Sequence, residues 1–269
     1  MLIWTVANQK GGVGKTTTAI ALGGLCAEQG MRVLVLDLDP HGSLSSYLKF
    51  DPEVVDRGTF TLFQQRKVLD AALVKSCIKR SGFANLDLIP SALALATLER
   101  QVISQDGMGL VIGRSLAMLA DDYDLAIIDC PPVLGVLMIN ALAACHHLVV
   151  PVQTEFLAIK GLERMLQTLA MIGRSRKQEL TYSIVPTMFD RRTQASVSSL
   201  RAIRNGYPEH TWPGKIPIDT RLRDASKAGI PPGLYQADGR AVDAYRSLLK
   251  WLLDRRSELA PSDHYRAVR

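Results

Sequence analysis

Leu2-Ile3-Trp4-Thr5-Val6-Ala7 is an apolar run, and Gln9-Lys10-Gly11-Gly12-Val13-Gly14-Lys15-Thr16-Thr17 follows it one residue later. A helical pattern of apolar residues begins at the end of this stretch and continues to Cys26. Strand, glycine-rich loop and helix in this order are the context of a phosphate-binding loop. The glycines let successive backbone N–H groups turn inward, and the helix directs its positive dipole end at the same anion.

The spacing within this loop departs from the ordinary G-x-x-x-x-G-K-[ST] pattern. Gln9 stands where the first glycine belongs, and a second lysine, Lys10, opens the loop instead. Lys15 would supply a point charge for the β- and γ-phosphates, and the Thr16 hydroxyl would bind Mg²⁺. The predicted nucleotide-binding residues are consecutive, namely Lys10, Gly11, Gly12, Val13, Gly14, Lys15, Thr16 and Thr17.

The composition is typical of a globular protein of the cytosol. Hydrophobic residues make up 47% and charged residues 22% of the 269 residues. No apolar run approaches the ~18–20 residues of a membrane span, and no signal sequence opens the chain. The four cysteines have no C-x-x-C spacing, so we expect reduced thiols.

Positive charge is concentrated in the C-terminal third of the chain. Residues 174–269 contain 18 Lys/Arg and 10 Asp/Glu, a net charge of +8, whereas residues 1–173 carry a net charge of −2. Such a region indicates an anionic partner, most simply DNA or an acidic protein. A solvated basic surface without a partner explains the charge equally well.

The order of apolar runs predicts an α/β fold. A strand, a helix and a second strand in the first forty residues form a βαβ unit, which implies a parallel sheet. We predict a doubly wound, mainly parallel sheet with helices on both faces, in one domain over residues 1–257 with a polar tail at 258–269. The predicted strands are 2–7, 33–36, 86–90, 125–129, 148–152 and 182–186. The later predicted helices are 62–79, 93–103, 110–119, 136–144, 159–172 and 241–256.

Three aspartates, Asp37, Asp39 and Asp129, stand at or just after the ends of predicted strands. Carboxylates there can hold Mg²⁺ through water and orient an attacking water molecule. A single aspartate in this position is typically a cap or turn residue. Three beside a phosphate loop favour a metal and water site.

Lys10 to Thr16 resemble the deviant Walker A motif, K-G-G-x-G-K-[ST], of the ParA/MinD family of ATPases. Residues 37–42 resemble the family segment D-x-D-P-Q-G, with His41 in place of the usual Gln. Residues 127–132 are similar to I-I-D-x-P-P, and residues 150–155 to P-V-Q-x-E. Residues 186–193 and 216–222 match later family segments, so the resemblance extends from residue 8 to about residue 229.

The resemblance implies a role for each residue near the phosphates. Lys15 and the loop amides bind phosphate, and Thr16 binds Mg²⁺. Asp129 and Asp39 act on the metal through water, and Asp39 positions or activates the hydrolytic water. His41 is expected to be an exposed loop histidine without a catalytic role, the alternative being that it tunes the switch segment.

The resemblance also implies a homodimer that forms around ATP. Lys10 reaches across this dimer to the partner's phosphates, so both Lys10 and Lys15 count as catalytic. A cation delivered in this way neutralises charge on the transferring phosphoryl group only after dimerisation. Asp37 supports the switch region, and the adenine lies against Met188 and Pro217.

Family members act as switches whose ATP-bound dimer binds a surface until a partner stimulates slow hydrolysis. MinD-type members use a C-terminal membrane helix, but the apolar stripe of residues 241–256 is more typical of a helix packed on the core. ParA-type members bind DNA non-specifically through basic side chains. The candidates here are Arg201, Arg204, Arg221, Arg223 and Lys227.

A finer resemblance concerns the cargo. Residues 41–43, 132–138, 174–177 and 190–195 are similar to the chemotaxis-associated ParA branch, often called ParC, which places chemoreceptor arrays. This implies a polar cargo and a ParP-like adaptor. The alternatives are plasmid or chromosome partition on the nucleoid with a ParB-like adaptor, an ATP-dependent small-molecule ligase, and an iron–sulfur protein, which would need paired cysteines.

Overall fold

Seven strands form the sheet at the centre of the computed structural model, which describes residues 1–100, 108–173 and 180–255. The strands are β1 (Leu2–Val6), β2 (Val33–Asp37), β3 (Lys79–Phe83), β4 (Leu86–Ile89), β5 (Leu125–Asp129), β6 (His147–Gln153) and β7 (Thr181–Thr187). Their order across the sheet is β3-β4-β2-β5-β1-β6-β7. The neighbouring strands are parallel except for β3, which is antiparallel to β4.

Helices connect and cover these strands. In the described ranges they are α1 (Lys15–Glu28), α2 (Ser43–Tyr47), α3 (Thr59–Gln64), α4 (Ala71–Ser76), α5 (Leu95–Arg100), α6 (Val111–Ala117), α7 (Val136–Ala144), α8 (Phe156–Gly173), α9 (Gln194–Gly206), α10 (Arg221–Ala228), α11 (Pro232–Tyr235) and α12 (Arg240–Asp254). A 3₁₀ turn at Met108–Leu110 precedes α6.

Buried hydrophobic side chains cover both faces of the sheet, because successive residues of a strand point to opposite sides. On β2, Val33 and Val35 join a cluster with residues of α1 and α12. Leu34 and Leu36 join a second cluster with residues of α6, α7 and α8. Helices therefore lie on both faces of a mainly parallel sheet, which confirms the predicted doubly wound architecture.

The carboxyl ends of three adjacent strands, β2, β5 and β1, carry the predicted site residues. The phosphate loop follows β1, and Asp129 is the last residue of β5. In the strand register, Asp129 is opposite Val6 on one side and Asp37 on the other. Ligands of open parallel sheets bind outside such carboxyl ends, so the fold assembles one site from distant parts of the sequence.

The predicted helix over residues 62–79 is wrong. The segment contains α3 and α4, and Lys79 already belongs to the edge strand β3. Asp70 starts α4 as its N-cap, because its carboxylate accepts a hydrogen bond from the Leu73 N–H at 2.7 Å. A tight turn at Asn85, with φ of 60°, then reverses the chain from β3 into β4.

Other predicted elements match to within a few residues, and the predicted helix 136–144 coincides with α7. The predicted helix 93–103 is observed as α5, and the remainder of its range lies outside the described residues. Residues 174–177 and the tail 258–269 also lie outside them. The helices α2, α9, α10 and α11 were missed, because they are short or mostly polar; α10 buries only Ala225.

The apolar stripe of the last described helix packs on the core. Its buried side chains belong to the cluster that includes α1, namely Ala241, Val242, Tyr245, Leu248, Leu249 and Leu252. The Tyr245 hydroxyl lies 3.1 Å from the Thr18 hydroxyl of α1. This confirms the core-packing interpretation of the stripe. Among the described residues, no helix is both long and apolar enough to span a membrane.

Candidate nucleotide and magnesium site

The loop between β1 and α1 forms an open cradle for phosphate. Gly12 and Gly14 have φ values of 74° and 90°, a region that side chains other than glycine rarely adopt. A Cβ atom added at Gly11 or Gly12 would meet no atom within 4 Å, so the space above the loop is free. Gly14 caps α1 without a side-chain hydrogen bond, which leaves the first helical N–H groups to an anion.

The cradle is anchored from both sides. The Val13 carbonyl accepts a hydrogen bond from the Thr187 hydroxyl at 2.9 Å, which ties the loop to the end of β7. The Asn8 amide donates to the Pro151 carbonyl at 2.8 Å, and its oxygen accepts the Lys10 N–H at 3.1 Å. The hydrogen bonds of the protein itself therefore hold the loop backbone in place, as preorganised phosphate binding requires.

The two loop lysines have different surroundings. Lys15 is buried, and its Nζ donates to the Lys10 carbonyl at 3.2 Å. Burial lowers the pKa of Lys15, and the Asp129 and Asp39 carboxylates partly oppose this effect. Lys10 instead forms an ion pair with Glu155, with its Nζ 2.6 Å from Oε1. Lys15 is thus positioned for a phosphate inside the cradle, whereas Lys10 is held at its rim.

Thr16 and Asp129 form the pair that a bound magnesium ion would use. The Thr16 hydroxyl donates to Asp129 Oδ2 at 2.6 Å, and Asp129 Oδ1 is buried with no hydrogen-bond partner among the described residues. Buried carboxylate oxygens are normally satisfied, so this oxygen fits a water-mediated contact to Mg²⁺. No group of three or more His, Cys, Asp or Glu in the described ranges forms a metal cage. Mg²⁺ usually takes further ligands from nucleotide phosphates and water.

Asp37 organises the segment that carries Asp39. Its Oδ1 accepts the Asp39 N–H at 3.1 Å, and its Oδ2 accepts the N–H and the hydroxyl of Ser45 at 2.8 and 2.7 Å. Burial raises the pKa of Asp37 to about 7. Burial, followed by the charge of Asp37, raises the pKa of Asp129 well above its usual range. A nearby cation stabilises the ionised form of a carboxylate that has other carboxylates beside it. Lys15 is such a cation for Asp129.

Met188 lies beside the phosphate loop, where the adenine contact is predicted. Met188 has φ of 52°, and its Cε is 4.0 Å from the position that a Cβ on Gly14 would take. Phe189 pairs with Pro217 in an isolated bridge. Phe189 and Pro217 line a cleft of about 390 Å³ together with Arg191, Lys215 and Arg240, among others, but Met188 is not one of its lining residues. The structure thus brings Met188 to the loop, and the contact of adenine with Pro217 stays a prediction.

The predicted DNA-binding side chains divide into two groups. Three are exposed, on α9 and α10, namely Arg201, Arg223 and Lys227. Arg204 donates hydrogen bonds to backbone carbonyls of the loop at residues 213–214. Arg221 pairs with Asp219, with Nε 3.1 Å from Oδ1. The exposed group is free to meet an external phosphate, whereas Arg204 and Arg221 would have to exchange these contacts.

Sequence reasoning missed two contacts of this site. Glu155, which holds Lys10, is part of the P-V-Q-x-E segment, but its partner is 145 positions away. His41 Nδ1 lies 2.8 Å from Asp39 Oδ1, although the ring is exposed as expected. The substitution of His for Gln at position 41 was the available signal for the second contact.

Comparison with known proteins identifies the relatives of this chain. The family model described as AAA domain matches residues 1–182. The sporulation initiation inhibitor protein Soj of Bacillus subtilis is 34% identical over 249 residues, covering 92% of this chain and 96% of Soj. The chromosome partitioning protein ParA of Myxococcus xanthus is 30% identical over 257 residues, covering 95% of this chain and 89% of ParA.

The chain is also similar to a solved structure that contains a bound nucleotide. Cobyrinic acid a,c-diamide synthase from Mycobacterium smegmatis, with bound ADP and magnesium, is 32% identical and superimposes with a TM-score of 0.80. The similarity covers 96% of each chain. Together with the deviant loop and the Thr16–Asp129 pair, these similarities show that the chain belongs to the ParA/MinD family of P-loop ATPases.

Proposed function

We propose that this protein is an ATP-hydrolysing switch that dimerises around ATP and positions an intracellular cargo. The observation that carries the proposal is Lys10, whose partly exposed ammonium pairs with Glu155, whereas Lys15 is buried. Large apolar side chains are exposed in the two segments that follow β5 and β6, namely Val133, Leu134, Phe156 and Leu157. Exposed apolar side chains of this size favour a protein interface. A second copy of the chain facing this surface would receive the Lys10 ammonium at its phosphates.

Different residues bind the phosphates and Mg²⁺, orient the attacking water and neutralise negative charge. Lys15 and the cradle N–H groups bind the phosphates of ATP, and Thr16 and Asp129 hold Mg²⁺. When bound, Mg²⁺ neutralises charge on the phosphate oxygens. Asp39 orients the attacking water at the edge of the cradle. Lys10 of the second copy adds a positive charge beside the transferring phosphoryl group. Hydrolysis is therefore fast only in the dimer.

Replacing Glu155 with Gln is expected to favour the ATP-bound dimer, because it releases Lys10 from its ion pair. The two side chains are 27% and 41% exposed, so the pair is worth about 0.5–1 kcal/mol. The dimer dissociation constant should therefore fall about two- to fivefold. Sedimentation equilibrium with a non-hydrolysable ATP analogue measures this constant.

Glu163→Gln is the matched control, because Glu163 pairs with Lys160 on the exposed side of α8 at a similar distance, 2.9 Å. It should leave the dimer unchanged. Dimerisation that is unchanged or weakened in Glu155→Gln would show that Glu155 does not hold Lys10 back.

Replacing both Arg223 and Lys227 with Ala is expected to weaken retention on DNA of any sequence. Both side chains are exposed on α10, and phosphate contacts of this kind release counterions. The salt dependence of binding should lose about one unit of slope for each phosphate contact removed. Filter binding of the ATP-bound protein over a series of KCl concentrations measures this slope.

Lys160→Ala removes an exposed lysine from α8 and should leave DNA retention unchanged. ATP affinity should stay constant in both variants, since none of these residues lies at the cradle. Undiminished retention in the double variant would exclude this part of α10 from the DNA surface.

Two kinds of cargo are candidates, and a different observation supports each of them. Similarity to Soj and ParA supports chromosome or plasmid partition with a ParB-like partner. The motifs around His41, Val133 and Arg191 support chemoreceptor arrays with a ParP-like partner. A fluorescent fusion at native expression separates them: a nucleoid-associated signal supports partition, and a focus at the cell pole beside the chemoreceptors supports array positioning.

A small-molecule ligase is the second candidate function, since the relative with bound ADP and magnesium is a diamide synthase. A ligase would hydrolyse ATP quickly only with its acid substrate, and DNA or an adaptor would not change the rate. An iron–sulfur role has less support, because the four cysteines are buried in the protein interior. ATP turnover measured with and without DNA distinguishes the switch from the ligase.

A further inference from the structure

The backbone around Asp39 is fixed by residues outside its side chain. The Asp39 carbonyl accepts hydrogen bonds from the Ser91 hydroxyl at 2.6 Å and from the Gly42 N–H at 2.8 Å. Asp37 accepts the Asp39 N–H, as described above. Gly42 has φ of 60° and a side chain there would collide with Pro52, so this turn requires glycine. The position of the Asp39 Cα is therefore set by the fold.

The Asp39 carboxylate, in contrast, accepts hydrogen bonds only from His41 among the described residues. Its Oδ1 accepts the His41 N–H at 3.0 Å and contacts His41 Nδ1 at 2.8 Å. Its Oδ2 has no hydrogen-bond partner in the described ranges. The carboxylate is 13% exposed and the imidazole 83% exposed, so the ring covers the outer side of Oδ1. The two carboxylate oxygens consequently have different environments.

The chemistry of the contact fixes the direction of the hydrogen bond. An ionised carboxylate can only accept, so His41 Nδ1 must carry the hydrogen. Two donors on Oδ1 prevent the carboxylate from rotating freely about χ2, a torsion that is otherwise broad. The remaining oxygen, Oδ2, is then the one available to an attacking water. Since an isolated carboxylate would sample both orientations, a fixed one aligns water more often.

We propose that His41 is a positioning residue for ATP hydrolysis, whose Nδ1–H holds Oδ1 of Asp39 so that Oδ2 aligns the attacking water. The inference rests on the proposed role of Asp39. It also gives a function to the residue at which this chain departs from the D-x-D-P-Q-G segment. Because the imidazole is exposed to water, its contribution should be moderate, about three- to tenfold in kcat.

Three variants of His41 test the proposal in the full-length protein with ATP and Mg²⁺. His41→Ala removes the donor and should lower kcat about three- to tenfold, with KM for ATP unchanged. His41→Asn keeps an N–H donor close to the position of Nδ1 and should retain kcat within about twofold. His41→Gln places the donor one methylene further and should give an intermediate kcat. The lifetime of the ATP-bound dimer, followed by size-exclusion chromatography, should lengthen in His41→Ala in the same proportion.

The outcomes separate this inference from the proposed function. A wild-type kcat in His41→Ala, equal losses in the Ala and Asn variants, or a change confined to KM would each overturn the positioning role. If Asp39→Ala abolishes hydrolysis while His41→Ala is unchanged, the switch function stands and only the role of His41 is lost. If the wild-type protein hydrolyses no ATP in the presence of DNA and Mg²⁺, the proposed function itself fails.

Discussion

Lys15→Ala is expected to lose ATP binding by a factor of at least about a hundred. Lys15 is buried at the base of the phosphate cradle, where its ammonium faces the Asp129 and Asp39 carboxylates. Two unit charges about 4 Å apart interact by about 4 kcal/mol at an effective dielectric constant of 20. That energy corresponds to nearly three orders of magnitude in affinity. The cradle N–H groups and the dipole of α1 remain, so a residual affinity persists.

Titration with a fluorescent ATP analogue in the presence of Mg²⁺ measures this loss. Lys160→Ala is the matched control, because it removes a lysine that is exposed on α8 and pairs there with Glu163. The Lys15→Ala variant should keep a cooperative thermal unfolding transition, which separates loss of binding from loss of folding. Affinity within threefold of the wild type would contradict the assignment of Lys15 to the phosphates.

Strands and buried helices could be predicted from the sequence because their apolar runs are continuous. The helix α7 and the runs at β2 and β5 have few exposed positions, so hydrophobicity alone marks their bounds. The edge strand β3 has no such run: its five residues are half-buried or exposed, and it includes a glycine. An antiparallel edge strand of this kind depends on its neighbour β4 for pairing, which local sequence does not encode.

The same distinction applies to the site. The phosphate loop is local, so the glycine spacing predicts it together with Lys15 and Thr16. The Lys10–Glu155 pair joins residues that only the adjacency of β1 and β6 brings together. The contact between His41 and Asp39 spans two residues, yet it depends on side-chain orientation. Sequence thus predicts the groups proposed to bind the nucleotide, and the structure was needed for the contacts proposed to control and orient them.

Asp39→Ala is expected to reduce ATP hydrolysis about a hundredfold or more while leaving an ATP-bound dimer. A side chain that orients or activates an attacking nucleophile typically contributes two to four orders of magnitude in rate. The groups proposed to bind phosphate and metal, among them Lys15, Thr16 and Asp129, do not depend on the Asp39 side chain for their hydrogen bonds. Binding and dimerisation should therefore survive when hydrolysis does not.

Single-turnover hydrolysis and size-exclusion chromatography with ATP measure the two effects on the same Asp39→Ala sample. Glu53→Ala is the control, because Glu53 is an exposed carboxylate that follows the same segment. It should hydrolyse ATP at the wild-type rate and return to the monomer as ATP is consumed. Asp39→Ala should remain dimeric over the same period, since hydrolysis is what releases the dimer in the proposed switch. A variant that stays monomeric with ATP would assign Asp39 to nucleotide binding or dimerisation instead of hydrolysis.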